Sequence, residues 1–532
     1  MWKYALSYFS KLKRKSSPHC DITKNTPKCI PSTFCKIDPI WPQPKVVIIG
    51  AGMAGLSAAQ YLFMSGIHDF VILEASDKIG GRIHSVHYGD AKIEFGIDTV
   101  YGCPSDSVFR LACVERLIKS PMIRLNSMIG AWHVPNENRL VKNKIVTKAR
   151  SRFREIERTA ALAHEQDPLT KSNCPKDLFQ FIDEYIQNEL KGFFDDEAER
   201  DDLGRVMYAL TNNLRTKLGA KLQSVPAHLY SSNVEMPGGL IRVESGMIGT
   251  ITPLMKHIPT NSLKTSKRVI SIRWGAPNNT SPRSLVVTED GQDFPADYVI
   301  CTCSLGILKH TPSLFCPELP ARQWEAIQRL GFADVCKIYA LYAQPFWLPG
   351  TGHINFAWSK ADLQQSPDCQ WHWSKGVSGI HEVPGSTNVL NMTVTDKDAL
   401  TVEVMDNAIL TDEIHALLCK FRNDPHLVRP THVTATKWST NPNFLGFKTY
   451  MNTSSDISHI HDLASPLSAC NNMPPVIGFA GEHTSPEYYG TLHGSRMSGI
   501  REANRIVEYT MRYKGPPIPY QDKVSIADNY KG

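Results

Sequence analysis

From Val46 to Ile67 the chain carries no charged residue. A stretch of that length can cross a bilayer. Gly50, Gly52, Gly55 and Gly66, with Ser57 and Ser65, interrupt it at turn-like places, which excludes a membrane span there. Excess charge is also missing from most of the protein. Residues 1–45 hold nine Lys/Arg and two Asp, and the remainder holds 49 Lys/Arg against 50 Asp/Glu. The net charge of +6 is thus a property of the N-terminal tail, and the body lacks a nucleic-acid footprint. A disulfide framework is absent as well. Thirteen cysteines, an odd number scattered over 532 residues, fit free thiols in a reducing compartment. Cys301 and Cys303 have no second Cys/His pair nearby, so no metal site is expected.

The tail has no acid before Asp21, and Trp2, Leu6, Phe9 and Leu12 mark one face of a short helix. Lys3 and Ser7 break its apolar part, against a secretory signal. An irregular basic tail ending at Pro42 and Pro44 is the expectation, with a membrane surface or import machinery as its possible contact. A cytoplasmic location is expected, with a mitochondrial one as the alternative through the basic N-terminus. Tyr530-Lys531-Gly532 is not a peroxisomal Ser-Lys-Leu type ending.

What is present is organised around Lys45–Glu74. Val46–Ile49 is an apolar, β-branched run suited to one buried strand. Gly50, Gly52 and Gly55 follow with GxGxxG spacing, then helix-compatible residues Leu56–Ser65, then a second apolar run Phe70–Leu73. Glu74 stands 19 residues after the third glycine. Strand, tight turn, helix, strand and acid in this register form a dinucleotide-binding pattern. Gly50 allows the turn, Gly52 lets backbone approach a pyrophosphate, and Gly55 lets helix and strand pack closely. N–H groups at the helix start face the phosphate, and Glu74 accepts from a ribose.

Further along, residues 104–225 are helical in pattern. Amphipathic spacing marks Ser151–Gln166, Asp177–Phe193 and Glu197–Leu218, read as core-facing stripes without chemistry. Met247–His257 is an expected helix. Strands are expected at Val269–Ile272, Ser284–Thr288 and Asp297–Cys303.

Glu74-Ala75, followed by Gly80-Gly81-Arg82, resembles the flavin amine oxidase family, as does Ile93-Glu94-Phe95-Gly96. Tyr298–Lys309 is similar to a family strand segment. Gly331–Tyr339 with Pro345-Phe346-Trp347 resembles the polyamine oxidase branch. Lys437–Gly446 and Val476–Thr484, with Tyr488–Gly494 and the helix start at Ser498–Ala503, complete the likeness, which covers about residues 44–512. The resemblance implies non-covalent FAD, because no cysteine stands where monoamine oxidases tether flavin. FAD contacts are implied for Gly50, Gly52, Gly55, Glu74, Gly81, Arg82, Gly96, Val269, Trp438, Glu482, Gly490 and Thr491. It makes Lys337 the catalytic lysine that holds a water against flavin N5. Tyr101, Tyr488, Tyr489 and Thr491 become the substrate wall. Small amines and O2 are the implied partners.

The implied fold is α/β, an amine oxidase fold. A Rossmann-like FAD-binding domain (44–110, 230–311, 458–515) interleaves with a mixed α+β substrate domain (111–229, 312–457), with tails 1–43 and 516–532. Two places depart from the family. Tyr101, in Thr99-Val100-Tyr101-Gly102, stands where animal-type polyamine oxidases carry histidine, and Leu390–Ala399 lacks the family's Trp and Gly. Both departures are expected to touch substrate binding. Three readings stay open: a polyamine oxidase, an oxidase of another amine, and a non-catalytic FAD-binding protein.

Overall fold

Val46–Ile49 is a four-residue strand buried on both faces, as its unbroken β-branched sequence requires. It is the middle of a five-stranded parallel sheet in the computed structural model of the chain. The strand order is Ile477–Phe479, Tyr298–Cys301, Val46–Ile49, Phe70–Leu73 and Leu263–Lys264. Segments from both ends and the middle of the chain therefore share one sheet. The structure describes residues 36–118, 130–165, 177–192, 196–243, 245–275, 283–363, 371–469 and 473–517. The chain divides into two units, residues 1–36 and 37–532, and everything described here belongs to the second apart from Lys36. The expectations for the basic tail fall on residues 1–35, outside the described residues.

The helix after the glycine turn, Met53–Met64, packs against the last helix, Leu492–Tyr513. At Gly499 an added Cβ would run into the Ala54 carbonyl oxygen, so glycine sets how closely the two axes approach. Arg496 Nη1 donates to Ser57 Oγ (3.0 Å), and Tyr61 Oη donates to Asn504 Oδ1 (2.7 Å) across the same seam.

A four-stranded sheet contains Val269–Trp274 and Ser284–Thr288. A six-stranded sheet runs His432–Ala435, Val335–Leu341, Val389–Thr395, Gly379–Glu382, Ile354–Phe356 and Ala131–His133. Three long helices, Asn143–Glu165, Leu178–Lys191 and Glu197–Leu218, bury their apolar stripes in one cluster with Trp132. The third starts where the Asp196 carboxylate accepts from the Ala198 N–H, and it ends at Gly219 with φ +85°. Among the described residues no helix is long and apolar enough to cross a membrane.

Three local expectations need correction. Tyr298–Lys309 is not one strand: it stops at Cys301, and Ser304 Oγ caps a short helix, Leu305–His310, by accepting from the Ile307 N–H. The last helix begins at Leu492, not at Ser498, because Thr491 Oγ1 accepts from the Gly494 N–H and caps it there. Met247–His257 is a 3-10 turn, Met247–Ile251, running into a four-residue helix, Thr252–Met255.

Candidate functional site

The glycine turn opens onto a cavity of about 500 Å³. Gly50 has φ +102°, and a Cβ on Gly55 would strike the Gly50 carbonyl oxygen, so these two positions are fixed by the chain's own packing. Gly52 differs. A Cβ there would meet nothing of the chain closer than 3.8 Å, and Gly52 lines the cavity. Its missing side chain leaves room for a ligand rather than for protein.

Glu74 lines the same cavity, buried, with most of its acceptor capacity already used. Oε2 accepts from the Ala51 N–H (2.8 Å), and Oε1 accepts from Ser76 N–H (2.9 Å) and Oγ (3.0 Å). A carboxylate has about four acceptor positions, which leaves roughly one for a ribose hydroxyl. Arg82 Nη1 donates to the Phe447 carbonyl (2.6 Å) and to Glu482 Oε1 (2.9 Å). Glu482 also accepts from Thr449 Oγ1 (3.1 Å) and the Gly490 N–H (2.8 Å). Burial alone would raise the Glu482 carboxyl, but Arg82 and His483 beside it outweigh that and hold it below the usual range. Glu482 thus ties three distant segments of the wall together. Gly81, Val269, Gly490 and Thr491 line this cavity as well. Its glycine floor, the open place at Gly52, the remaining acceptor of Glu74 and the cation Arg82 fit a flavin dinucleotide.

A second cavity, about 450 Å³, adjoins the first. Ile97, Lys448, Gly490, Thr491 and Leu492 line both. Tyr101 and Tyr489 line the second, and Tyr489 Oη lies 2.6 Å from Ser232 Oγ. Burial, with Glu235 and Asp106 nearby, pushes Tyr101 up to about 12. Glu157, Glu235 and Asp106 put carboxylates on this wall. His493 is also there. Its Nδ1 accepts from the Ser107 N–H (3.0 Å), which leaves the proton on Nε2. Burial, then Arg110 and Arg496, pushes His493 down to about 4, so the ring is neutral.

Five of the expected residues stand back from both cavities, Gly55 among them, packed on the Gly50 carbonyl. Lys337 Nζ donates to the Gly96 carbonyl (2.7 Å) and pairs with Asp98 Oδ2 (2.9 Å), with the side chain 13% exposed. Lys337 thereby holds the segment that carries Ile97 to the shared wall. Burial would raise the Asp98 carboxyl, but Lys337 keeps it low. Gly96 packs on the Arg82 carbonyl, where a Cβ has no room. Trp438 donates from Nε1 to the Phe95 carbonyl (2.9 Å) and packs on Phe447. Tyr488 packs edge-on to His493, ring centroids 4.6 Å apart. Of the two departures, Tyr101 lines the second cavity. Leu390–Ala399 lines neither: its strand, Val389–Thr395, pairs with the Lys337 strand, Thr393 opposite Lys337.

Sequence reasoning missed Lys448, Asp98, Asp106, Glu157, Glu235 and His493. Asp106 alone had a local signal, a helix N-cap whose Oδ1 accepts from the Val108 N–H (2.7 Å). The others are single polar residues brought together by tertiary folding.

Comparison with known proteins agrees with this geometry. A family model described as "Flavin containing amine oxidoreductase" matches residues 53–507. "Protein anon-37Cs" of Drosophila lebanonensis is 31% identical over 488 residues, covering 87% of this chain and 88% of that one. The human "Peroxisomal N(1)-acetyl-spermine/spermidine oxidase" is 27% identical over 87% of this chain and 95% of its own. A solved structure of wild-type putrescine oxidase bound to putrescine superposes with a TM-score of 0.64 at 19% identity, over 88% of this chain and 99% of that chain.

Proposed function

The chain belongs to the family of flavin-containing amine oxidoreductases, and on that footing we propose that it oxidises polyamines such as spermine, spermidine or their acetylated forms. The observation that carries this reading is the second cavity. It joins the dinucleotide cavity at a common wall and is lined by the carboxylates of Glu157, Glu235 and Asp106 beside Tyr101, Tyr450 and Tyr489. Carboxylates suit a chain with several ammonium groups. An aromatic wall suits the one amine that must be neutral to react. The names of the relatives, an acetyl-spermine/spermidine oxidase and a putrescine oxidase, support the same substrate class.

Gly52, Glu74, Gly81, Arg82, Val269 and Gly490 would hold FAD. Bound without a covalent link, it would supply the two-electron acceptor, with O2 taking the electrons on to hydrogen peroxide and water hydrolysing the imine product. The chain's own residues do the rest. Glu482 and Arg82 fix the wall where its first and last segments meet. The tyrosines exclude water. Lys337, through Gly96 and Asp98, sets where Ile97 stands at the reacting end. Lys337→Met should keep FAD bound and slow flavin reduction or reoxidation by more than about tenfold, roughly 1.4 kcal/mol in barrier terms. Stopped-flow traces unchanged in both half-reactions would remove Lys337 from the mechanism.

Anaerobic mixing with a panel of amines, following flavin bleaching, tests the substrate. Fast bleaching by spermine, spermidine or an acetylated form is the expected result. Bleaching by another amine alone would move the reading to that amine, and none at all would leave a non-catalytic flavoprotein. Seven described cysteines are free, which supports a reducing compartment, and we propose the cytoplasm.

A further inference from the structure

Lys448 begins a short strand, Lys448–Tyr450, paired antiparallel with Gly331–Ala333. That pairing puts it among the five residues common to both cavities. Of those five, it alone carries a charge. Its Nζ donates to the Lys217 carbonyl (2.6 Å) in the last turn of the helix Glu197–Leu218. Among the described residues, no carboxylate comes within ion-pairing distance of it. Lys337 offers the contrast, since Asp98 neutralises it.

The charges around Lys448 are mixed. Lys217 and Lys337 oppose its positive form, while Glu482 and Asp98 favour it from further off. Arg158, Glu157, Glu235 and Asp106 face the second cavity, with Tyr101, Tyr450 and His493. Arg82, Glu74, Lys267 and Arg268 face the first. Burial, then Lys217, brings the amine down to about 8, so it is mostly charged near neutral pH and mostly neutral one to two units above.

We propose that Lys448 is a specificity-determining residue. Its ammonium at the shared wall rejects a positive charge at the reacting end of the substrate, so that end is admitted only as the free amine. Glu157 and Glu235, which line the second cavity alone, take the substrate's other cation. This rests on the amine-oxidising reading, whose own test is the flavin-bleaching panel.

The experiment is equilibrium binding by calorimetry to the full-length, FAD-loaded protein. The probes are 1,4-diaminobutane, charged at both ends, and 4-aminobutan-1-ol, charged at one. Between about pH 7 and about pH 9 most of each probe keeps its full charge while Lys448 loses most of its own. Wild-type affinity for the diamine should rise at least roughly fivefold over that range, and affinity for the amino alcohol less than roughly twofold. Lys448→Met should bind the diamine at pH 7 as the wild type does at high pH. Lys448→Arg should bind it weakly throughout. A Met variant with the wild-type pH dependence, or no binding of either probe, overturns the proposal. If Lys448→Met does not fold, acetic anhydride labelling of the wild-type protein, read at Lys448 by mass spectrometry across pH, decides. A reactivity midpoint near 8 supports the proposal, and one above about 10, the free-lysine range, overturns it. Binding that obeys these rules without flavin bleaching would retain Lys448's role and refute the oxidase reading.

Discussion

Around the first cavity the polar groups are already committed to one another. Glu74 accepts one hydrogen bond from Ala51 of the glycine turn and two from Ser76, and Glu482 joins Arg82, Thr449 and Gly490. Around the second, Tyr101 and His493 are pushed away from their ordinary values by burial, and Lys448 has no counter-ion at ion-pairing distance. The first wall is finished before any ligand arrives, as suits an invariant cofactor. The second holds unspent electrostatic asymmetry, the kind of arrangement that distinguishes one guest from another.

The strongest test of that contrast is Glu482→Ala. It should destabilise the protein by about 3 kcal/mol, because it strands Arg82 and three other donors, the Thr449 N–H and Oγ1 and the Gly490 N–H. That is the low end for a buried pair, since Arg82 keeps 20% of its side chain exposed. The pH dependence has a definite sign. Glu482 is held below its ordinary 4.5, so its contribution is complete above that value and is lost as pH falls through the folded-state value. Thermal melts of the wild type should therefore drop in acid more steeply than those of Glu482→Gln. Parallel acid limbs would show that the first wall is not held by this carboxylate.

A second comparison separates packing glycines from ligand glycines within one turn. Gly55→Ala should lower stability by about 1–3 kcal/mol, because the new Cβ meets the Gly50 carbonyl. Gly52→Ala should change stability by less than about 0.5 kcal/mol and weaken FAD binding instead. Chemical denaturation of apoprotein and flavin titration read the two separately. Equal losses of stability would mean that the space at Gly52 belongs to the fold.

The smallest effect is expected at the second wall. Tyr101 stays neutral across the working range, since burial and Glu235 place it at about 12. Tyr101→His introduces a group that titrates near neutrality and should shift turnover or substrate ranking by roughly threefold, with a changed pH profile and unchanged flavin content. Identical profiles would make Tyr101 packing alone.

The first wall was legible because its chemistry is local. Glycine spacing, β-branched strands and an acid at fixed distance determine a backbone path within thirty residues. The boundaries were less legible where a cap decides them. Ser304 ends a strand that apolar content would have continued, and Thr491 starts the last helix before its periodicity shows. Lys337 is recognisable by motif, but its pairing with Asp98 depends on a strand of one sheet reaching a loop far away in sequence. Nothing adjacent to Lys448 announces it. It becomes a cavity residue only once Lys448–Tyr450 pairs with Gly331–Ala333 and the end of a helix supplies its acceptor.

The seam between Met53–Met64 and Leu492–Tyr513 also orders events in time. On a ribosome, Gly50 and its turn emerge well before the helix that braces them, with Gly499 against Ala54, about 440 residues further along the chain. At roughly 5–20 residues per second, the nascent turn waits roughly 20–90 s for its brace. Closing the flavin cradle therefore waits for Leu492–Tyr513 to be made, and a chain cut before that helix has every glycine of the cradle and no cradle.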